Sequence, residues 1–393
     1  MATTPTSVGA LSPSQGELGI EERHGLQGLE QLAGDWHELF ARLPQRSFVQ
    51  SVGWHRAFAS FLSDDPSAMR YFVFRRHGAV CALVALQELA PMGLGPLRVR
   101  RLSLPAHRHA TLSDALIVPD ESPREIIDAL RRHVSSGSHA LVVTLELPNL
   151  LRRRAALGGL DARAEWGGNS RWLIETVGAS AWFDVSSRDA AFAGLSSHVR
   201  RNLARQRRRL EELGEVRMER FAGAAAAGGA LQSFFELEAS GWKGVAGSAI
   251  RMHPRIADFY RSLVHEFEQL PRVVIHLLAV QGRHVAGSFC VELDDTLYVL
   301  KIAYEEQLRA AAPGNCLLEQ MLGDAAQCDG VRRVSLVTSP PWAKRWGVYE
   351  DELQRALVLP GGLSGLLLLS AMRARRRWRR DGAQGGEAAE ALP

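Results

Sequence analysis

Lysine is nearly missing from this 393-residue chain: only Lys243, Lys301 and Lys344 stand among its 47 basic residues. Arginine supplies every other cation. An ammonium is compact and shifts its pKa readily, whereas a guanidinium does not, so each retained lysine is either a chance survivor or a position that needs this chemistry. Cysteine is scarce as well. Cys81, Cys290, Cys316 and Cys328 lie far apart, with no CxxC pair and no histidine at zinc spacing. This excludes a disulfide framework and fits a reducing cytosol, and no metal is expected. No run reaches the roughly 18 consecutive apolar residues of a membrane span. The longest candidate, Leu363 to Met372, is interrupted by Ser364, Gly365 and Ser370. The first twenty residues lack the basic start and apolar stretch of a secretion signal, so the expected location is cytoplasmic.

What is present supports folded cores: 46% of residues are hydrophobic, 23% are charged, and the formal net charge is +4. Global disorder is excluded, and the length implies about two domains. Leu26, Leu29, Leu32, Trp36, Leu39, Phe40 and Leu43 recur at helical spacing, and Ser51 caps a second helix carrying Trp54, Phe58 and Phe61. A hairpin over 70–89, a strand near 99–104, a helix opened by Pro123 and a strand over 141–147 follow. A similar order then recurs. An arginine-rich helix over 196–213 leads to a strand over 216–221, helices over 231–242 and 254–269, three strands over 273–304, a helix over 314–327 and a strand over 333–337. The chain therefore reads as α/β with mixed sheets, in two related units. Residues 1–20 form a tail, 21–180 and 181–360 the two units, and 361–393 an apolar and then arginine-rich end.

The segment from Leu297 to Leu318 bears most on function. A strand ends in a loop of small residues and then opens a helix at Gly314, leaving first-turn amides that, with the helix dipole, attract phosphate. Arg309, Ala312, Pro313, Gly314 and Asn315 are the candidate cradle. An ordinary turn before a helix has the same spacing. Tyr304, at the strand end, is a candidate proton donor. Lys301 lies in an otherwise apolar strand, where a buried ammonium requires a partner or a lowered pKa. Three residues apart, the two side chains point to opposite faces unless a bulge intervenes. Trp242 and Lys243 sit where a helix yields to a glycine-bearing loop and are candidates for contact with acceptor or cofactor. Arg201, Arg205 and Arg208 share one helical face, which is either simply solvated or steers an anionic acceptor, a nucleotide or RNA.

Three stretches, LSSHVRRNLARQRRRLEELGEV (195–216), EASGWKGVAGSA (238–249) and TLYVLKIAYEEQLRAAAPGNCLLEQML (296–322), resemble the BioF2-like, or CelD-type, acetyltransferases of the GNAT superfamily in order and spacing. The resemblance covers roughly 45–350. It implies two tandem GNAT-like units related to the FemAB peptidyltransferases, the first degenerate, with the second taking acetyl-CoA or another acyl-CoA. It also implies a bulge at the strand bearing Lys301. One departure stands out. SLVTSPPWAKRWG (335–347) keeps Lys344 and Trp346 but has Ser335, Ser339 and Ala343 where the family has an Asp, a Gly and a Tyr. Tyr304, Lys301 and Lys344 are the catalytic candidates, and Trp242, Lys243, Arg201 and Arg205 the candidates for acceptor binding.

The leading expectation is N-acyl transfer from acyl-CoA directly to an amine on a small molecule, polysaccharide or peptide, since no cysteine occupies a nucleophile motif. Two alternatives remain: transfer from aminoacyl-tRNA with the arginine helix as RNA contact, and an inactive binding protein of envelope or polysaccharide assembly. At the C-terminal end, Leu363, Leu366 to Leu369 and Met372 precede Arg373, Arg375 to Arg377, Trp378, Arg379 and Arg380. This end reads either as a docked helix with a solvated tip or as a peripheral membrane contact.

Overall fold

The computed structural model describes residues 18–94, 97–136, 142–158, 170–241, 247 and 249–371. The first half runs β1 (Leu18–His24), α1 (Gly25–Gln31), α2 (Ala33–Arg42), α3 (Val52–Phe61), β2 (Arg70–Arg76), β3 (Ala79–Leu94), β4 (Leu97–Ser103), β5 (Leu116–Ile117), α4 (Pro123–Ser136), β6 (Val142–Leu151) and β7 (Ser170–Asp184). After α5 (Arg188–Ala193) and α6 (Ser197–Glu211) come β8 (Val216–Ala222), α7 (Gly229–Ser240), α8 (Pro254–Glu266), β9 (Arg272–Val280), β10 (Arg283–Leu293), β11 (Thr296–Tyr304), α9 (Pro313–Ala325), β12 (Arg333–Ser335) and β13 (Tyr349–Pro360). A last helix, α10, covers 362–371.

The strands form one mixed sheet in the order β1-β2-β3-β4-β6-β13-β7-β12-β11-β10-β9-β8, with β5 beside β3. The order is a duplication. Each half has a strand, a pair or trio of helices, an antiparallel run of three strands, a helix, and then a strand parallel to the last of the three: β6 on β4 and β12 on β11. The closing strands are exchanged. β7, which follows β6 in sequence, pairs with β12 of the second half, while β13 pairs with β6 of the first and with β7. The expected division near residue 180 thus falls inside β7.

Most expected elements appear within a few residues of their places, and the differences have local causes. The helix expected over Leu26 to Leu43 breaks at Leu32, which closes α1 and opens α2. β13 reads YEDELQRALVLP, rich in helix formers, yet its partners on both sides hold it extended, because strand formation depends on cross-strand neighbours more than on intrinsic preference. α4 covers one face of the first half, setting Ile126, Ile127 and Leu130 against Phe72, Phe74 and Val84. The opposite face is shared by both halves. α3 packs on α8, with Trp54 edge-on to Phe259 at 5.4 Å, and Phe48 lies edge-on to Tyr298 at 4.9 Å. α9 covers the other side of the second half, where Leu318, Met321 and Leu322 pack on Leu297, Val299 and Val334.

Candidate functional site

The parallel pairing of β11 with β12 stops early. It covers Thr296–Tyr298 against Arg333–Ser335, and β11 continues to Tyr304 with no strand on that side among the described residues. Past β12 the chain turns away to β7, where the Leu336 amide donates to the Ala181 carbonyl and the Ala181 amide to the Thr338 carbonyl. The turn places Val337 at φ 64°, a conformation that a β-branched residue adopts only under constraint. The result is a wedge in the sheet whose β11 wall presents main-chain donors and acceptors from Val299 onward.

The cradle candidates lie together at the open end of this wedge. After β11 the chain makes tight turns in which the amides of Arg309, Ala311 and Ala312 donate to the carbonyls of Glu306, Leu308 and Arg309. Ala312, at φ 48° and ψ 58°, then turns the chain into α9, with Pro313 in its first turn. Left-handed backbone costs an alanine about 1–2 kcal/mol, so the surrounding packing must enforce it. The Asn315 amide returns to the Ala312 carbonyl, whereas the amides of Ala310 and Gly314 have no backbone partner among the described residues. Gly314 lies under the Tyr304 ring: a Cβ there would sit 3.3 Å from the ring's Cδ1. Free amides at a helix start, a residue without a side chain and an open strand edge form a fitting cradle for a pyrophosphate and its arm.

α6 braces the cradle. The Arg209 guanidinium donates to the Ala310 carbonyl at 3.2 Å, and the Asn315 side-chain amide donates to the Gln206 carbonyl oxygen at 3.1 Å. Arg201 and Arg205 are exposed on earlier turns of α6, where Arg205 donates to Asn202 at 2.6 Å. Arg201, eight residues before Arg209, is displaced about 12 Å along the helix from the brace.

The strand does contain a bulge. Phe289 pairs with Lys301 and Cys290 with Val299, leaving Leu300 unpaired in register. It precedes Lys301, however, and so does not fall between Lys301 and Tyr304. Tyr304 opposes Ala286, whose side chain packs with Leu278 and Leu317 on the α9 face. Lys301 opposes Phe289, which packs with Phe234 and Tyr260 on the α7/α8 face. Tyr304 is 37% exposed, and burial, followed by the nearby Glu306 carboxylate, raises its phenol above the ordinary range.

Lys301 shares its face with a polar string that sequence reasoning missed. His107 and His109, in the loop after β4, stack with ring centroids 5.5 Å apart. The His107 Nδ1 accepts from the His109 amide at 3.2 Å, which leaves its neutral form protonated on Nε2. His109 Nδ1 lies 3.2 Å from the hydroxyl of buried Tyr260. Burial, then the Arg108 charge, lowers the His107 pKa; Asp64 opposes this, and Lys301 reinforces it. Burial, helped by Glu238, raises the Tyr260 phenol well above its usual range. Two histidines in the three residues 107–109 were the only sequence signal for this join between the halves.

Lys344 is exposed in a single helical turn, Ala343–Trp346, anchored by Trp346 packing edge-on to Phe183 at 6.1 Å. That anchor ties its turn to β7, not to β11, which carries Lys301 and Tyr304. Ser335, where the resembled family has an Asp, is buried, its hydroxyl 3.4 Å from that of Ser180 and accepting from the Val337 amide at 3.2 Å. Trp242 and Lys243 lie outside the described residues. Their neighbour Gly241 is close to the site: a Cβ there would be 3.5 Å from Glu306 Cγ. Among the described residues, no group of three or more His, Cys, Asp or Glu side chains is placed to hold a metal. A separate cavity of about 420 Å³ opens at the start of β11, at the strand's other end from the cradle. Arg46 pairs there with Asp294 and Arg154 with Asp295, while the buried carboxyl of Asp114, also in its lining, accepts hydrogen bonds from Gln50 and the Ala115 and Ala156 amides.

Residues 197–345 match the family model described as an acetyltransferase (GNAT) domain. No curated protein matches the chain. Among solved structures, FemX aligns with a TM-score of 0.54 at 12% identity, over 86% of this chain and 96% of its own. A conserved protein of unknown function from Bacteroides thetaiotaomicron VPI-5482 aligns with a TM-score of 0.53 at 12% identity, over 84% of this chain and 97% of its own. Residues 197–345, which hold most of the second half of the doubled strand order, thus match a GNAT-type acetyltransferase domain, and the chain as a whole shares its fold with FemX.

Proposed function

We propose that this chain is an acyl-CoA-dependent N-acyltransferase of the cytoplasm, moving an acetyl or longer acyl group directly to an amine. The observation that carries the reading is the meeting of the wedge beside β11 with the cradle at Ala310–Asn315. Main-chain amides at Ala310 and Gly314 hold the pyrophosphate, and the unpaired edge from Val299 to Tyr304 hydrogen-bonds the amide-bearing arm. The CoA thioester supplies the activated acyl group. Passage through the wedge connects the cradle face, with Tyr304, to the α7/α8 face, with Lys301 and the histidines, so donor and acceptor approach from opposite sides. When the acceptor nitrogen bonds to the acyl carbon, the carbon–sulfur bond breaks. Tyr304 gives its proton to the departing sulfur, and the proton lost from nitrogen passes to the polar face at His109. Lys301 orients an acceptor oxygen there.

Aminoacyl-tRNA as donor is the second reading, favoured by the exposed Arg201 and Arg205 beside the cradle helix. A binding protein without catalysis is the third, favoured by Ser335 in place of an Asp. Thermal-shift titration separates them, since only ligands that bind the native state raise its melting temperature. Stabilisation by acetyl-CoA, with turnover on an amine panel, is expected. Stabilisation by tRNA alone favours the second reading, and stabilisation by CoA without turnover favours the third.

A further inference from the structure

The cavity at the start of β11 lies on the seam between the halves and takes no part in the acyl-transfer reading. Tyr298, in its lining, stands six residues before Tyr304, about 20 Å along the strand. Its volume of about 420 Å³ falls within the range of small-molecule sites, about 300–1,000 Å³. Leu43, Val49, Leu112 and Leu151, all buried, give it an aliphatic wall. The rest is charged, with Arg46 and Arg154 beside Asp114, Asp294 and Asp295. Each ion pair joins a first-half arginine to a second-half aspartate, but the two are not equally made. Arg46 Nε donates to Asp294 at 3.0 Å, whereas Arg154 meets the two oxygens of Asp295 at 3.4 Å each and makes its shorter bond, 2.9 Å, to the Thr296 hydroxyl. Guanidinium–carboxylate bonds usually close to about 2.7–2.9 Å, so Arg154 and Asp295 both retain capacity for a better partner.

Asp114 adds a carboxyl group bonded only to neutral donors. It is 4% exposed and accepts from Gln50 Nε2 at 2.8 Å, from the Ala115 and Ala156 amides at 2.9 Å and from the Leu157 amide at 3.3 Å. Two donors on each oxygen suit the ionised form. Burial opposes that form and brings the pKa to about 7, so at pH 8 the carboxylate predominates. We propose that this cavity is a binding site for a free α-amino acid with an apolar side chain, independently of the acyl-transfer reading. The ligand's carboxylate closes on the Arg154 guanidinium, its ammonium takes the Asp295 carboxylate that this releases, and its side chain lies on the aliphatic wall. Only a zwitterion replaces both partners at once. A lone anion leaves Asp295 unpaired beside it, a lone cation competes with Arg154 for Asp295, and a sugar sets hydroxyls against the leucines.

Titration of the full chain with L-leucine at pH 8, followed by calorimetry and by melting temperature, tests this. Leucine should bind saturably and raise the melting temperature. N-acetyl-leucine lacks the ammonium and leucinamide the carboxylate, so each should bind at least about tenfold more weakly. Asp295→Asn keeps the side chain's shape and removes its charge. It should weaken leucine about tenfold or more while the free protein melts nearly as the wild type does, because the aspartate is half-exposed. Arg154→Gln should weaken leucine as much. No saturable binding of leucine, valine or phenylalanine, equal affinity for the three leucine compounds, or undiminished affinity in folded Asp295→Asn would overturn the assignment.

Discussion

Tyr304 keeps its proton through the neutral range, because burial and Glu306 both disfavour the phenolate. On the proposed reading the protonated form serves a departing thiolate, so the wild-type rate should not decline on the alkaline side until pH exceeds about 10. Tyr304→Phe keeps the ring over Gly314 and removes only the proton. Turnover should fall about 10²–10⁴-fold with acetyl-CoA affinity nearly unchanged, as read by steady-state kinetics beside calorimetry. Full activity in this variant would place the acid elsewhere. Tyr304 and Lys301 stand out in the sequence as candidates because each carries chemistry in a largely apolar strand. His107 and His109 do not, since the partner that gives His109 a context, Tyr260, is 151 residues away and reaches it only through the fold.

Among the elements, the exchanged strands were the hardest to foresee. β1 and β7 carry weak alternation, with Gly178 in the middle of β7, and β13 has the composition of a helix. The strand–loop–helix around the cradle, by contrast, was readable from its boundaries, since proline and glycine mark where β11 must end and α9 begin. The exchange is locked by charge as well as by backbone pairing. Arg333 on β12 is buried with Asp351 of β13, and its guanidinium lies 3.9 Å over the Trp182 ring of β7. Removing the acid leaves an uncompensated buried cation, so Asp351→Ala should cost about 3–5 kcal/mol in denaturant unfolding. Asp258→Ala, which breaks an exposed pair with Arg261 within α8, should cost no more than about 1 kcal/mol. Equal effects would mean that the strand exchange does not depend on the buried pair.

Across the whole molecule, duplication was visible as a repeated element order, but the core that joins the halves was not. Trp36, Trp54 and Phe58 of the first half and Phe259, Tyr260 and Phe289 of the second belong to one apolar cluster, which no spacing within either half could specify. Buried titratable groups on both faces of the sheet set the response to acid. Burial lowers the pKa of His55 and of His276 to about 3, and raises that of Asp114 to about 7. Below pH 6.5 the unfolded chain takes up a proton at each histidine that the folded chain refuses, so folded stability declines as pH falls. Asp114 acts in the opposite sense, since from pH 7 down to about 4 its folded form binds the extra proton. Two histidines against one aspartate leave a net loss of stability as pH falls from roughly 6.5 towards 4. Urea unfolding across that range should show it, and a flat profile would remove burial of these histidines as a determinant of stability.

The wedge and cradle are tested most directly by calorimetric titration of acetyl-CoA into the wild-type chain and into Gly314→Asp. Aspartate in the first turn of α9 suits the helix dipole, so the variant should fold, yet its carboxylate and Cβ occupy the space of an anionic pyrophosphate. One equivalent of acetyl-CoA should bind the wild type, and affinity should weaken at least about tenfold in the variant, equivalent to roughly 1.4 kcal/mol. Equal affinity in the two folded proteins, or no binding to either, would contradict an acyl-CoA site between Tyr304 and Asn315.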